Sequence, residues 1–337
     1  MAAKNIRIAM AQQDFTVGAI EANTQKIIES IVKSAKQNVE LLVFPELTIC
    51  GYPPEDLLFR QALFQQIETA LQAILEATGE LYVVLGVPVF ENNQVFNQAL
   101  IIHNGAIIAR YNKRELPNYS VFDEKRYFTA GSESCVFEMA GLKVGVTICE
   151  DIWFQAPIAS AVEEGAELIV NLNASPFHVG KVLEREAITA QRVHENKVPI
   201  VYVNLVGGQD ELVFDGASFI MSTEAQVVAR LGSFSEELAI VDFDTQSMLP
   251  LNPPLAKHLS INESIYRALV LGVRDYVYKN GFKSVILGLS GGIDSALTLV
   301  VAVDALGAEN VEAVMLPTRY TADISLEDAE TLAKNLS

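Results

Sequence analysis

The hydrophobic and polar positions of this chain follow two alternating periods over most of its length. Apolar runs such as "IRIAMAQQDF" and "LLVFPEL" predict buried strands. Between these two runs the apolar positions recur at helical spacing and predict a helix, at Ile27, Ile28, Ile31 and Val32. Further strands are predicted by "LYVVLGVPVF", the hairpin-like "FNQALIIHNGAIIARYNK", "LKVGVTIC", "AELIVNLNAS", "PIVYVNLVGG" and "ELAIVDFD". Further helices are predicted for "PEDLLFRQALFQQIETALQAILEA", which we expect its proline to open, and around 156–164 and 181–196.

Many strands with a few long helices predict a layered α/β fold. We expect helices packed outside two stacked sheets, a four-layer α-β-β-α sandwich over residues 1–247. The segment "MLPLNPPLAKHL", 248–259, has three prolines and no periodicity, so it is predicted to be a linker. The amphipathic stretch "INESIYRALVLGVRDYVYKNG" then predicts a helix that opens a second domain over 260–337.

Composition and charge exclude several classes of protein. The net charge of −18 argues against nucleic-acid or anionic-membrane partners, which need clustered Lys and Arg. No apolar run approaches the ~20 residues of a membrane span, and "MAAKNIRIAM" lacks the apolar core of an export signal, so a cytoplasmic location is expected. The three cysteines are an odd number without paired spacing and predict reduced thiols, and the four scattered histidines suggest no zinc site.

Three polar residues follow apolar strands, where each side chain can enter a crevice. Glu46 follows "LLVFP", Lys113 follows "AIIARYN" and Cys149 follows "LKVGVTI". Together, a thiol, an ammonium and a carboxylate can cleave an amide or a nitrile through a covalent thioester. We expect Lys113 to lower the pKa of the Cys149 thiol and stabilise the oxyanion, and Glu46 to transfer protons. Singly, each residue could equally be a packing or solvated side chain.

The motifs around these residues resemble a known family. "FPELTICGYPPEDLL", "YNKRELPNY" and "VGVTICEDIW" closely resemble the glutamine-amidohydrolase domain of the nitrilase superfamily, in the version fused to NAD synthetases. The resemblance covers about residues 4–245 and implies that Glu46, Lys113 and Cys149 are the catalytic triad. It also implies Glu124 as a second carboxylate near the triad. Finally, it implies a glutamine-binding set consisting of Tyr119, Phe122, Glu150, Ser175 and Lys181.

A second motif, "SGGIDS" at 290–295, lies between the apolar strand "SVILGL" and an apolar helix. Its glycines would let the backbone approach an oxyanion at the helix N-terminus, and Asp294 could help to hold Mg²⁺ on phosphates. No lysine follows the glycines, so the motif is not a Walker loop. It resembles the pyrophosphate loop of the N-type ATP pyrophosphatases, and "VMLPTRYTADISLEDA" resembles the matching segment of NAD synthetases. The resemblance implies a doubly wound, Rossmann-like adenine nucleotide alpha hydrolase fold and an ATP site formed by Ser290, Gly291, Gly292, Asp294 and Ser295.

The whole sequence therefore resembles the glutamine-dependent NAD⁺ synthetase family. The resemblance implies that ammonia released from glutamine at Cys149 amidates deamido-NAD⁺ with ATP and Mg²⁺, and that the protein is a homo-oligomer. From residue 260 there are 78 residues, whereas a doubly wound domain usually needs ~150. We therefore expect this part to be poorly packed or mobile, with weak ATP binding and no NAD⁺ production. Two alternatives remain open: a stand-alone amidase or carbamoylase, and a non-catalytic assembly module.

Overall fold

The computed structural model describes residues 5–336, and the strands within them are numbered here in chain order. They are β1 Asn5–Gln12, β2 Leu41–Val43, β3 Tyr82–Glu91, β4 Gln94–His103, β5 Ala106–Asn112, β6 Val136–Met139, β7 Leu142–Ile148, β8 Leu168–Asn173, β9 Ile200–Asn204, β10 Val206–Gln209, β11 Leu212–Asp215, β12 Phe219–Met221, β13 Val227–Arg230, β14 Glu237–Asp244, β15 Leu249–Leu251, β16 Val285–Gly288 and β17 Val311–Val314. Every strand predicted from an apolar run is present.

The α-helices are α1 Ile20–Lys36, α2 Gln61–Thr78, α3 Gln155–Glu163, α4 Lys181–Asn196, α5 Ile261–Lys279, α6 Ile293–Leu306 and α7 Asp323–Leu336. Helices α1 to α6 lie where the sequence predicted helices, with one correction, and α7 was not predicted. The expectation that proline opens the second helix is wrong. Glu55–Phe59 forms a separate 3-10 helix and Arg60 is extended (ψ 111°), so α2 begins only at Gln61.

Residues up to 206 and 214–258 form one compact unit of four layers. Its first sheet has the order β15-β14-β1-β2-β3-β4-β5 and its second the order β13-β12-β9-β8-β7-β6. The apolar side chains between the sheets form the main core, which includes Ile8 and Val84 from the first sheet and Val144 and Val170 from the second. Helices α3 and α4 cover the outer face of the second sheet, and α2 contacts the first. The predicted α-β-β-α sandwich is confirmed.

The segment predicted to be a linker is partly a strand. Leu249–Leu251 pairs antiparallel with β14 and extends the first sheet by one edge strand. Beyond it, the Arg230 N–H donates to the Pro254 carbonyl at 2.8 Å, and the Ala256 N–H donates to the Arg230 carbonyl at 2.9 Å. The prolines thus interrupt the helical pattern but still allow pairing at a sheet edge. The outer side of an edge strand has no neighbour, so a proline without an N–H donor is tolerated there.

The second compact unit consists of residues 207–213 and the chain from 259 onward. Strands β16 and β17 pair in parallel within it, and helices α5, α6 and α7 complete it. Residues 207–213 are the tip of the β10–β11 hairpin, where the Gly208 N–H donates to the buried Asp275 carboxylate of α5 at 2.6 Å. No feature of the sequence indicated that a hairpin from the sandwich region would group with this unit.

The expectation of poor packing in the second unit is only partly met. Two small apolar clusters are buried, one around Val277 and Leu306 and one around Leu289, Leu299 and Ala329. The predicted strand, turn and helix around "SGGIDS" are present. Many large apolar side chains nevertheless remain exposed in this unit, including Ile286, Ile293, Leu316, Tyr320 and Ile324.

Candidate active site

The ends of two strands bring Glu46 and Lys113 into direct contact. Lys113 follows β5 immediately, and Glu46 lies three residues after β2. The Lys113 Nζ atom is 2.7 Å from Glu46 Oε1, and both side chains are completely shielded from solvent. Removing two charges from water costs free energy, so a buried ion pair of this kind indicates a specific polar site within the sandwich.

The Glu46 carboxylate is oriented by both sheets. Its Oε1 atom also accepts a hydrogen bond from the Asn97 amide of β4 at 2.7 Å, and its Oε2 atom accepts from the Ala174 N–H at the end of β8 at 3.0 Å. Gly86 permits the close approach of this loop, because a Cβ atom there would lie 2.4 Å from the Leu47 nitrogen. Glu46 is therefore held in one orientation relative to Lys113.

Glu124 supplies a second buried carboxylate on the same ammonium, as expected. Its Oε1 atom lies 2.8 Å from Lys113 Nζ and accepts from the Tyr52 hydroxyl at 2.8 Å. Burial raises the pKa of Glu124 to about 7, against the opposing effect of Lys113. Burial alone would lower the pKa of Lys113, but the two carboxylates raise it well above its usual value, so Lys113 is a cation.

Cys149 begins the 3-10 turn Cys149–Trp153 directly after β7, with a φ of +46° that is unusual for a residue other than glycine. Burial and then Glu46 raise the pKa of its thiol well above the usual value, and Lys113 opposes them. Lys113 does lower the pKa of this thiol, as expected, but burial and Glu46 outweigh its effect, so the net shift is upward. The shift favours the protonated thiol.

Two of the residues expected to bind glutamine form a pair beside the nucleophile turn. The Tyr119 hydroxyl donates to Glu150 at 2.9 and 3.0 Å from the two carboxylate oxygens. Phe122 packs against the Tyr119 ring edge-on at 5.6 Å. An open cavity of about 580 Å³ is lined by Arg114, Pro117, Tyr119, Glu150 and Phe154. Glu150, the residue that follows Cys149 in the chain, thus lines this cavity.

Ser175 and Lys181 lie after β8 and have different surroundings. The Lys181 ammonium sits 4.3 Å from the centroid of the Trp153 ring and pairs with Glu184 at 3.2 Å. Ser175 is buried, and its hydroxyl oxygen accepts a hydrogen bond from Arg185 Nε at 3.0 Å. The Ser175 hydroxyl also hydrogen-bonds the buried Tyr202 hydroxyl, so Arg185 and Tyr202 together hold it.

The sequence analysis missed Arg185, which is the largest fully buried side chain among the described residues. Its Nη1 atom pairs with Asp215 at 2.7 Å, and Nη2 donates to the Ser175 carbonyl at 2.7 Å. A signal was present in the sequence, because the buried face of α4 carries Arg185, Thr189, Arg192 and Val193 at helical spacing. Two arginines on the buried side of a helix are unusual unless their charges are paired.

The "SGGIDS" loop forms a separate site in the second unit. The Ser290 N–H donates to Ser295 Oγ at 3.2 Å, the Gly292 N–H donates to Ser290 Oγ at 3.2 Å, and the Ser295 hydroxyl donates to the Gly292 carbonyl at 3.0 Å. A cavity of about 310 Å³ opens here, lined by Leu289, Ser290, Met315, Pro317 and Thr321. Asp294 is exposed in the first turn of α6.

Within residues 5–336 no three His, Cys, Asp or Glu side chains converge as metal ligands. None of the helices described there is both long enough and apolar enough to cross a bilayer.

Comparisons with known proteins agree with this geometry. Residues 7–251 match the carbon-nitrogen hydrolase family, and residues 265–337 match the NAD synthase family. The chain is 46% identical to the glutamine-dependent NAD(+) synthetase of Xylella fastidiosa strain Temecula1 over 95% of its own length and 60% of that protein. It is 40% identical to the enzyme of that name from Thermotoga maritima, over 99% of its own length and 64% of the relative.

Solved structures support the same assignment. A glutamine-dependent NAD⁺ synthetase from Acinetobacter baumannii in complex with ADP superposes with a TM-score of 0.95 at 43% identity, covering 99% of this chain and 63% of that one. A nitrilase-superfamily amidase from Nesterenkonia superposes with a TM-score of 0.65 at 24% identity, covering 72% of this chain and 92% of that one, and so shows the fold alone. The chain thus spans less than two thirds of the three NAD⁺ synthetases named here. With residues 7–251 matching its family model, the chain belongs to the carbon-nitrogen hydrolase family, and an NAD synthase segment follows that domain.

Proposed function

We propose that the chain hydrolyses glutamine through a Cys149 thioester and that the ammonia serves the ATP-dependent amidation of deamido-NAD⁺ to NAD⁺. The observation that carries this proposal is the buried Lys113 ammonium, held between the Glu46 and Glu124 carboxylates within electrostatic range of the Cys149 thiol. A cation fixed beside a nucleophile in a site shielded from water can stabilise an oxyanion strongly.

In the proposed reaction Cys149 Sγ attacks the amide carbon of glutamine while its proton passes to Glu46. The carbonyl oxygen becomes an oxyanion, which the Lys113 ammonium stabilises. When the tetrahedral intermediate collapses, the C–N bond breaks and Glu46 returns the proton to the departing ammonia. Water then attacks the thioester carbon, and Glu46 takes a proton from that water. The C–S bond breaks, glutamate is released, and the Cys149 sulfur regains its proton.

Recognition of glutamine requires an acceptor for its α-ammonium group and donors for its α-carboxylate. Glu150 fits the first role, since its carboxylate faces a cavity and is oriented by Tyr119, with Phe122 packed behind. Ser175 and Lys181 fit the second role. Arg185 and Tyr202 support the Ser175 assignment because their hydrogen bonds hold the Ser175 hydroxyl in one place.

The ATP proposal rests on the second unit. Its loop residues Ser290, Gly291, Gly292 and Ser295 lie at the carboxyl end of β16, where open α/β sheets bind ligands, and a relative carries ADP. Asp294 is one exposed carboxylate, which suits Mg²⁺ brought in on phosphates rather than a protein cage. ATP would be cut between its α and β phosphates.

We also propose that residues 1–247 form the glutaminase domain and that residues 260–337 form part of the synthetase domain. The protein is further proposed to be a homo-oligomer and to be located in the cytoplasm.

The test is covalent labelling with a glutamine-mimicking diazoketone. Peptide mass spectrometry should find the label on Cys149 and leave Cys50 and Cys135 unmodified, because Glu46 and Lys113 act on the Cys149 thiol and are not among the groups that shift the pKa of the other two. Ammonia release should be measured in parallel from glutamine and from acetamide, with Cys149→Ala as the blank. Release from acetamide but not from glutamine would establish a simple amidase instead. An unlabelled Cys149 with no ammonia release would establish a non-catalytic module.

A further inference from the structure

Asp151, two residues after the proposed nucleophile, accepts hydrogen bonds from four donors and is completely buried. Its Oδ1 atom accepts from the N–H groups of Arg114 at 3.1 Å and Glu115 at 2.9 Å. Its Oδ2 atom accepts from the Ile148 N–H at 2.9 Å and from the Tyr111 hydroxyl at 2.8 Å. The sequence analysis gave this residue no role.

These donors surround the two reacting side chains. Tyr111, Arg114 and Glu115 flank Lys113 on both sides in the chain, and Ile148 directly precedes Cys149. Lys113 directly follows β5 of the first sheet, whereas Cys149 directly follows β7 of the second. Backbone ladders fix neighbours within one sheet but do not fix the separation of groups in different sheets. Asp151 is therefore a direct tie between the two segments.

The Cys149 backbone needs such support. Its φ of +46° lies in the left-handed region, which a residue with a side chain keeps only if the surroundings impose it. The bond from the Ile148 N–H to Asp151 closes the 3-10 turn that contains Cys149. The Asp151 carboxylate also accepts hydrogen bonds from the backbone N–H groups that follow Lys113. A shift of either the Lys113 segment or the Cys149 turn therefore breaks hydrogen bonds at Asp151.

We propose that Asp151 is a positioning residue that sets the distance between the Lys113 ammonium and the Cys149 thiol across the two sheets. The proposal rests on the proposed glutamine hydrolysis. It requires a carboxylate, because only an ionised carboxylate offers two oxygens with room for four donors. An asparagine of the same shape turns an NH₂ group toward at least one of the backbone N–H donors.

The test compares Asp151→Asn with the wild-type chain under glutamine saturation. We expect kcat to fall about 100-fold, the scale of a small misplacement of reacting groups, while KM changes less than threefold. The rate is to be expressed per thiol titrated by the diazoketone, so that unfolded molecules do not count. A kcat per reactive thiol within twofold of wild type would overturn the proposal.

A matched control separates positioning from general disruption. Thr147→Val lies in β7 and removes the buried hydroxyl that accepts from the Asn171 amide at 3.0 Å, without touching Asp151. It should lose stability yet keep kcat per reactive thiol within twofold. If Asp151→Asn fails to fold, Tyr111→Phe removes one of the four bonds and should lower kcat several-fold at unchanged KM. A kcat that Tyr111→Phe leaves unaltered would then contradict the proposal that Asp151 positions the two segments.

A second readout keeps this proposal distinct from the proposed function. Alkylation of Cys149 by iodoacetamide, followed by peptide mass spectrometry, does not depend on glutamine. Asp151→Asn should slow it at least tenfold and Thr147→Val should not. A wild-type chain that releases no ammonia from glutamine but shows this pattern would refute the function and retain the positioning role. Equal alkylation rates in all three proteins would refute the positioning role itself.

Discussion

Two turns in this molecule have the same local design and opposite surroundings. The Cys149 turn and the loop 290–295 each follow a strand and open a helical turn at its carboxyl end. Cys149 is 6% exposed, and its turn is held by Asp151 bonds to a different sheet. In the loop, the hydrogen bonds of the Ser290 and Ser295 hydroxyls join residues of the loop itself, and Ser290, Gly292 and Asp294 are exposed.

The difference follows from the chemistry proposed for each. Attack on an amide requires reacting atoms placed to within a fraction of an ångström in a dry site, which only a rigid, buried frame provides. A phosphate group is instead held by exposed backbone N–H groups and needs water-accessible space to enter and leave. Substitutions in the buried turn should therefore lower the rate of glutamine hydrolysis by changing geometry or charge. Substitutions in the exposed loop should weaken ATP binding by changing the backbone conformation.

The largest effect is expected for Cys149→Ala. Ammonia release from glutamine should fall to the uncatalysed background because the thioester cannot form. The missing sulfur leaves a small cavity that costs on the order of 1 kcal/mol, so the fold should persist. Ammonia assays with thermal unfolding check both parts. Residual hydrolysis near the wild-type rate would remove Cys149 from the mechanism.

The next effect is expected for Lys113→Met, which keeps the side-chain length and removes the charge. Turnover should fall ~100-fold or more, the scale for loss of an oxyanion donor. Stability should also fall, by about 3–5 kcal/mol, because Glu46 and Glu124 are left buried without their cation. The measurements are the rate per reactive thiol and the free energy of unfolding in denaturant.

The double variant Lys113→Met/Glu124→Gln is the matched control for that prediction. It removes one of the two carboxylate charges together with the ammonium, so part of the lost stability should return. The rate should stay low, since the oxyanion still lacks its cation. Recovery of both stability and rate would show that Lys113 serves only the fold.

The exposed loop should respond to backbone strain. Gly291 has a φ of +81°, and a Cβ atom there would lie 2.3 Å from the Ser325 carbonyl oxygen. Gly291→Ala should weaken binding of Mg²⁺-ATP at least ~10-fold, because a left-handed residue with a side chain costs about 1–2 kcal/mol before any clash is counted. In Gly288→Ala the added Cβ would meet nothing within 4 Å, and affinity should stay within twofold. Equal affinities in calorimetry would contradict the strain argument.

The smallest effect is a pH dependence of stability that comes from Glu124. Its pKa in the folded chain is about 7, above the ordinary 4.5, so the folded state keeps a proton that the unfolded state loses. The stability of the wild type relative to Glu124→Gln should therefore fall as the pH rises from about 4.5 to about 7, by on the order of 1 kcal/mol or more. Urea unfolding of both proteins across this range measures the difference. A difference that stays constant or rises with pH would contradict the assignment.

The sequence by itself determined the elements and the positions of the chemical groups. Periodicity located the strands of both sheets, and the three polar residues at strand ends, Glu46, Lys113 and Cys149, do converge within electrostatic range. These features are local: an apolar alternation reports which strand face is buried, and a polar residue after such a strand must be accommodated at the sheet edge. The motifs around them carried the family assignment.

Tertiary structure alone decided how those groups are held and charged. The net rise in the Cys149 pKa depends on how deeply the thiol is buried and on the charge of Glu46. The spacing of these residues along the chain predicts neither the depth of burial nor the strength of that interaction. Asp151 and Arg185 acquire their partners from segments 36 and 30 residues away. Hydrogen-bond partners across stacked layers are selected by packing, and desolvation exists only once that packing has excluded water, so no local pattern encodes either one.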